Sequence, residues 1–157
     1  MAYDNFTNEI FVSDHADVSQ QNSTVTVVNA VNNQVIKRVP IGPSLFDIAF
    51  DPTNNLVYTG TWTGSTVYVV NASSRSLVDN ITVGNVLSGM AYDPRDGNVY
   101  ATSVGDNAVY IISSTTNNVI KSIQTGTEPR TIIFVPLTQM MYFTAEGDND
   151  ISAIAAS

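Results

Sequence analysis

Two stretches of the sequence repeat one pattern, and their spacing decides the fold. Residues 91–126 read AYDPRDGNVYATSVGDNAVYIISSTTNNVIKSIQTG, and residues 49–84 read AFDPTNNLVYTGTWTGSTVYVVNASSRSLVDNITVG. Both contain an aromatic residue before Asp-Pro, a Val-Tyr pair, a second apolar run with a tyrosine and a closing glycine, at an offset of 42 residues. A fixed period of about 40 residues is typical of repeat architectures, in which each unit buries its apolar surface against its neighbours.

The same landmarks recur across the rest of the chain. A first copy, headed by Tyr3 and Phe11, is displaced by 47 residues, and its five extra residues lie between Phe11 and Val25. At intervals of 42 residues the aromatic before the turn is Phe50, Tyr92 and Phe134, and the later tyrosine is Tyr58, Tyr100 and Tyr142. The sequence therefore divides into units 1–48, 49–90, 91–132 and a shorter unit 133–157.

Local signals within each unit predict strands. In the third unit MAYDP ends at a proline, Asp96-Gly97 is a hairpin signal, and the runs NVYATSV, NAVYIISS and VIKSIQTG follow. No segment shows the sustained apolar spacing of a helix. Four short strands per unit of about 42 residues is the pattern of a β-propeller blade. We therefore predict an all-β propeller of about four four-stranded blades, forming either part of a ring or a small ring.

The apolar pattern predicts where each strand lies in its blade. VYVV (67–70) and VYII (109–112) are apolar on both faces, as in a strand between neighbouring blades. Lys37, Asp79 and Lys121 occupy matching positions in the fourth strands, and charge of this kind protects an exposed sheet edge. A solenoid is the alternative repeat fold, but the sequence has no periodic Leu/Asn ladder to support it.

The motif YDP…(N/G)xVY…STVxVVN…NxVIxxIxxG…P resembles the YVTN-type β-propeller repeat of archaeal and bacterial surface-layer-like proteins. The best matches are residues 49–90 and 91–132. The first unit has Asn5 where the repeat has proline, and the last unit has Val135 where it has the aspartate of YDP. The resemblance implies a propeller fold and an extracellular or cell-surface location. Related propellers serve as surface modules, binding scaffolds and enzyme domains, so the fold does not specify an activity.

Composition excludes several partners. The net charge is −8, with only two Lys and four Arg. We therefore predict no nucleic-acid partner and no adhesion to anionic lipid, since both depend on clustered cations. The sequence has no cysteine, so it offers neither disulfides nor thiolate ligands. No apolar run approaches the roughly 18 residues of a membrane span, and the first residues lack a signal-peptide pattern. We expect any targeting or anchoring segment to have been removed or to lie outside this sequence.

One loop position varies between the units. His15, the only histidine, is flanked by Asp14 and Asp17, but a metal site needs ligands from separate segments, so we predict no metal there. The alternative for His15 is a solvated loop tip. Variable loops on one propeller face commonly carry binding specificity. The matching residues of the later units are Trp62, Val104 and Glu146.

Two further residues are candidates for the same loop face. Trp62 is the only tryptophan and could stack on a sugar or anchor a protein partner; packing between blades is the alternative. Arg130, with Glu128, lies in the connection between blades and could reach the mouth of a central channel, or form a surface ion pair. EGDNDIS (146–152) lacks the spacing of a calcium loop and is predicted to be a strand-connecting turn.

The sequence also contains four N-glycosylation sequons, about as many as chance gives for this composition. Asn22 and Asn71 are predicted to lie in turns, which would make them usable acceptors in an exported protein. The sequons begin at Asn5, Asn22, Asn71 and Asn80.

No catalytic or cofactor-binding residue is predicted. The single histidine lies beside no nucleophile motif, neither G-x-G-x-x-G nor a P-loop occurs, and the spacing selects no carboxylate pair. The leading hypothesis is a non-enzymatic, extracellular or cell-surface module for protein or glycan interaction, or for surface assembly. The alternative is a fragment or half-ring of a propeller lyase, lactonase or cytochrome-linked oxidoreductase. That enzyme would need acidic or imidazole groups converging on the channel, where the inner strands offer only Asp47 and Arg130 nearby.

The sequence contains no spare strand that would complete the last blade and close the ring. The first predicted strand is an innermost strand, and the last, at 151–154, is the third strand of its unit. An open arc would leave apolar blade faces in contact with water. We therefore expect pairing with a second copy or with neighbouring propeller domains, unless four blades close a small ring.

Overall fold

The computed structural model describes residues 1–15 and 23–155. Within these ranges the chain forms β-strands throughout, with one 3-10 turn at Glu146–Asp148. The strands are β1 Ala2–Asp4, β2 Glu9–Ser13, β3 Ser23–Asn29, β4 Val35–Gly42, β5 Leu45–Asp51, β6 Leu56–Thr61, β7 Thr66–Asn71, β8 Ser76–Thr82, β9 Leu87–Asp93, β10 Asn98–Ser103, β11 Ala108–Ser113, β12 Asn118–Gln124, β13 Pro129–Val135, β14 Met140–Ala145 and β15 Asp150–Ala155.

The strands form four antiparallel sheets in chain order. The first three sheets are β1–β4, β5–β8 and β9–β12, and the described part of the fourth is β13–β15. Every strand pairs with its neighbour in sequence, which is the meander of a propeller blade. The predicted all-β architecture is confirmed. The second sheet begins at Leu45, slightly before the repeat boundary at 49, because the inner strand starts ahead of the repeated motif.

The turns after three of the inner strands are stabilised by the aspartate at the end of the strand and not by the proline that can follow it. Asp51 is buried, and its Oδ1 accepts a hydrogen bond of 2.8 Å from the Thr53 amide. Asp4 accepts the equivalent bond from Phe6, also at 2.8 Å. A carboxylate that bonds the amide two residues later stabilises a turn without proline. Asn5 therefore replaces the proline of the repeat without loss of the turn.

The apolar core consists of three layers, each between two consecutive sheets. Burial of each large side chain in such a layer contributes about 1.5–3 kcal/mol. Fully buried members of the three layers are Phe11, Val27 and Val57; Tyr58, Val67 and Val99; and Tyr100, Val109 and Met141.

The repeat register is kept, although the burial of its tyrosines is not uniform. Tyr58 pairs with Ala49, Tyr100 with Ala91 and Tyr142 with Ile133. Equivalence in the repeat predicts one half-buried environment for all three tyrosines, but Tyr58 and Tyr100 are fully buried and Tyr142 is intermediate. The reason is that the next sheet covers the first two, whereas no described sheet covers Tyr142.

The four sheets form an open arc. Inner strands β1, β5, β9 and β13 pack against one another in that order, and the described residues do not close a ring. The inner strands line a cleft of about 470 Å³ that includes Tyr3, Phe50, Tyr92 and Phe134. The face on which these strands begin is called the strand-start face below.

A candidate binding site on the strand-start face

Four residues that the sequence singled out lie together on the strand-start face, although Arg130 is the second residue of β13 rather than part of the connection between blades. They form one cluster with Phe46, contributed by the first, second and fourth sheets. The Trp62 cluster is defined as His15, Phe46, Trp62, Arg130 and Glu146.

A repeated backbone contact places the variable loop position. In each case the residue after the second strand donates its amide to the residue before the inner strand, and that acceptor has a φ of 55°. Equivalent loop residues thus have the same position relative to the inner strand of their own sheet, at its strand-start end. The bonds are Trp62 to Ser44 at 2.9 Å, Val104 to Val86 at 3.0 Å and Glu146 to Glu128 at 3.1 Å.

Phe46 is the centre of the aromatic part of the cluster. Its ring centroid lies 4.9 Å from that of Trp62, with the two planes tilted by 35°. The imidazole of His15 meets Phe46 edge-on, with 6.2 Å between centroids. Phe46 remains 45% exposed and Trp62 is half-buried, so the cluster presents aromatic surface to solvent. Large, rigid aromatic surface of this kind contributes strongly to binding when a partner buries it.

His15 fixes the first sheet to the second. Its Nδ1 lies 3.0 Å from the carbonyl oxygen of Leu45, so Nδ1 carries the donated proton in this contact. Ser13 donates a second hydrogen bond, of 2.7 Å, to the carbonyl oxygen of Phe46. His15 is exposed, but these contacts give its loop a defined position beside the aromatic rings.

Arg130 reaches from the fourth sheet to Trp62 on the second. Its guanidinium carbon lies 5.4 Å from the Trp62 ring centroid. Nε lies 2.5 Å from Oε2 of Glu146 and Nη2 lies 3.5 Å from Oε2 of Glu128; the Nε contact is a charge contact that lacks the direction of a hydrogen bond. Exposed cation–π and ion-pair contacts are each worth about 1 kcal/mol or less. A ligand could therefore replace them at small cost.

The backbone of Arg130 packs directly against Gly89. A Cβ on Gly89 would lie 2.1 Å from the Arg130 carbonyl oxygen, so only glycine permits this approach of β9 and β13. Thr102 donates a 2.5 Å hydrogen bond to the same oxygen. At the position that matches Gly89 in the second sheet, Asp47 accepts a 2.9 Å bond from the Met90 amide. Asp47 therefore links two sheets.

Sequence reasoning missed Phe46. It occupies the position of Arg130 two units earlier, so comparing inner-strand starts across the repeats would have identified it. The contact between Arg130 and Trp62 had no sequence signal, because the period does not specify how strongly the arc curves.

The turn predicted at 146–152 is shorter in the structure: Glu146–Asp148 form a 3-10 turn, and β15 begins at Asp150. Asp148 accepts a 2.6 Å hydrogen bond from the Thr127 amide. Asp106, one unit earlier, accepts the matching bond of 2.9 Å from Asn85, and that bond lowers the pKa of the Asp106 carboxyl below its ordinary value.

The predicted glycosylation positions differ in accessibility. Asn5 and Asn80 are exposed. Asn71 is the last residue of β7 rather than a turn residue, and its Oδ1 accepts a 2.9 Å bond from the Ser74 amide. Asn22 and Asp17 lie outside the described residues.

Neither a metal-binding cluster nor a membrane-spanning helix occurs among the described residues. No group of three or more His, Cys, Asp or Glu side chains is placed to hold a metal ion in residues 1–15 and 23–155. The same part of the chain contains no helix of the length and apolarity required to cross a membrane.

No protein-family model and no curated protein matches the sequence. Its fold is similar to solved β-propeller structures. Hydrazine synthase from Kuenenia stuttgartiensis aligns with 98% of this chain at 18% identity and a TM-score of 0.76. A chain of a mitotic checkpoint complex aligns with 86% at 17% identity and a TM-score of 0.71. The match covers 48% and 45% of those chains, so this chain spans slightly less than half of either. The protein has a β-propeller fold, and at these identities the similarity extends to fold alone.

Proposed function

We propose that this protein is a non-enzymatic β-propeller module that binds a protein or glycan partner through the Trp62 cluster. The observation that carries the proposal is the convergence of Phe46, Trp62 and Arg130 from two sheets on one exposed face. Tryptophan and arginine are enriched among the residues that dominate binding energy at protein interfaces. Glu146 and His15 add polar groups at the edge of the aromatic surface, where they can orient a partner.

The partner chemistry follows from the charges. Arg130 is already paired with two carboxylates, Glu128 and Glu146, and the whole chain carries a net charge of −8. Long-range electrostatics therefore disfavour a polyanionic partner. We infer that the partner is a neutral or basic protein surface or a neutral glycan whose apolar face stacks on Trp62.

We also propose an extracellular or cell-surface location. The resemblance to YVTN-type surface-layer-like repeats supports this location. So does the composition, because charged residues are only 13% of the chain and the surface is rich in Ser, Thr and Asn instead. Protease treatment of intact producing cells tests the location. Degradation of the protein before cell lysis is expected, whereas protection until lysis would contradict the proposal.

Binding is tested with immobilised peptide and glycan arrays probed by the labelled chain. Trp62→Ala is expected to lower the signal of bound probes by about tenfold or more, because it removes the indole on which the partner packs. The matched control is Phe6→Ala, which removes an aromatic side chain that is 77% exposed and lies in the turn after β1. Equal binding by Trp62→Ala and the unmodified chain, or equal loss in both variants, would contradict the proposal.

A further inference from the structure

The last sheet exposes a surface that the other sheets bury. Ile133 is 53% and Ile151 is 69% exposed, whereas their counterparts two units earlier, Ala49 and Val67, are 5% and 0% exposed beneath the third sheet. A groove of about 150 Å³ crosses this surface. The trailing face is defined as Ile133, Tyr142 and Ile151.

The first sheet exposes the surface that, in the second sheet, packs against the sheet before it. Tyr3, Ile10 and Val28 are here named the leading face. Their counterparts in the second sheet, Phe50, Val57 and Val70, pack against the first sheet, and both valines are fully buried. Tyr3 itself is 52% exposed. In each buried layer of the molecule, the equivalent of the trailing face on one sheet packs against the equivalent of the leading face on the next sheet. The two exposed faces are therefore complementary to each other.

Polar groups at the two faces match as well. Between the second and third sheets, the Tyr58 hydroxyl donates a 2.8 Å hydrogen bond to Oδ1 of Asn117. The counterpart of Tyr58 on the trailing face is Tyr142, and the counterpart of Asn117 on the first sheet is Asn33. Asn33 has a φ of 61° and Asn117 a φ of 53°, so both turns have the same left-handed backbone at this position.

We propose that two copies of this chain close one ring, with the trailing face of each copy against the leading face of the other. Two arcs of four sheets give eight blades, within the common range of about four to eight. The two junctions are related by a twofold axis, the commonest symmetry of protein oligomers.

The first test is the mass in solution, measured by light scattering and sedimentation equilibrium. The unmodified chain is expected at twice its 16.9 kDa. Ile133→Asp with Ile151→Asp is expected to shift it to monomer at the same concentration. Ile120→Asp is the matched control, because Ile120 is 56% exposed but lies on β12, the fourth strand of the third sheet. Circular dichroism confirms that each variant is folded.

The second test maps the junction with cysteines, since the chain has none of its own. Asn54 and Ser114 approach to 2.9 Å between the second and third sheets, and their junction counterparts are Thr138 and Ala30. A mixture of Thr138→Cys and Ala30→Cys chains is expected to be joined by a short bismaleimide. Neither variant alone is expected to cross-link.

Three outcomes would overturn the proposal. A monodisperse monomer would show that a second copy does not cover these faces. Cross-linking of Thr138→Cys chains to one another would show that trailing faces meet each other. Open-ended filaments would show that the junction forms without closing a ring.

Discussion

At the scale of single residues, polar side chains join neighbouring blades at defined points. Glu9 on the first sheet is buried and is bound by both Nε and Nη2 of Arg75 from the second sheet. Arg75 has a φ of 50°, and the corresponding turns of the first and third sheets have Asn33 and Asn117 at this position. The carboxylate of Glu9 also favours the charged form of the guanidinium and raises the pKa of Arg75.

Loss of this ion pair should be costly. Arg75→Met is expected to lower the free energy of unfolding by about 3 kcal/mol, because it leaves the Glu9 carboxylate buried without its partner. Urea unfolding measures the change. The double variant Glu9→Met with Arg75→Met is expected to recover much of the loss, since it leaves no unpaired charge. A loss below about 1 kcal/mol in the single variant would show that the pair is solvated.

A second single-residue prediction concerns acid. The folded pKa of Asp106 is lowered, chiefly by the Asn85 amide, so its carboxylate stabilises the fold above the ordinary pKa. This contribution is lost as the pH falls through the lowered value. Asp106→Asn should therefore lower the melting temperature near pH 7, and the deficit should shrink as the pH falls below the ordinary aspartate value of 3.8. A deficit that is constant or grows on acidification would contradict the assignment.

At the scale of strands and sheets, the repeated sequence was sufficient to predict most of the strands and their pairing. The period of 42 residues and the hairpin signal at Asp96-Gly97 predicted the strands, since each landmark occupies the same register position in every sheet. Burial could not be predicted in the same way. Tyr100 and Tyr142 are equivalent in sequence, but only Tyr100 has a sheet packed over it.

Tyr100 tests the layer between the third and fourth sheets. Tyr100→Ala is expected to cost about 3 kcal/mol or more, as other large core truncations do. Tyr100→Phe isolates the 2.7 Å hydrogen bond from its hydroxyl to Asp96 and should cost about 1 kcal/mol. Chemical denaturation compares the two variants. If the alanine variant loses less than about 1 kcal/mol, Tyr100 is not in the core and the register is wrong.

At the scale of the whole molecule, curvature of the arc creates the candidate site. Arg130 and Trp62 belong to sheets that are not adjacent, yet the guanidinium lies over the indole. The sequence singled out Trp62 as the only tryptophan, at a variable loop position, and Arg130 for its place between two blades, but only the arrangement of the sheets brings them together. Phe46 completes the surface between them, and Gly89 allows the fourth sheet to approach closely enough.

The fluorescence of Trp62, the only tryptophan in the chain, tests this convergence most directly. Arg130 covers the indole ring, so Arg130→Ala is expected to increase acrylamide quenching of Trp62 by roughly half or more, with a change in its emission. Arg95→Ala is the control, because Arg95 pairs with Asp93 at 3.6 Å in the turn after β9, away from the strand-start face. Quenching that rises in Arg130→Ala and not in Arg95→Ala is the predicted result. Identical quenching of the unmodified chain and Arg130→Ala would contradict the Trp62 cluster.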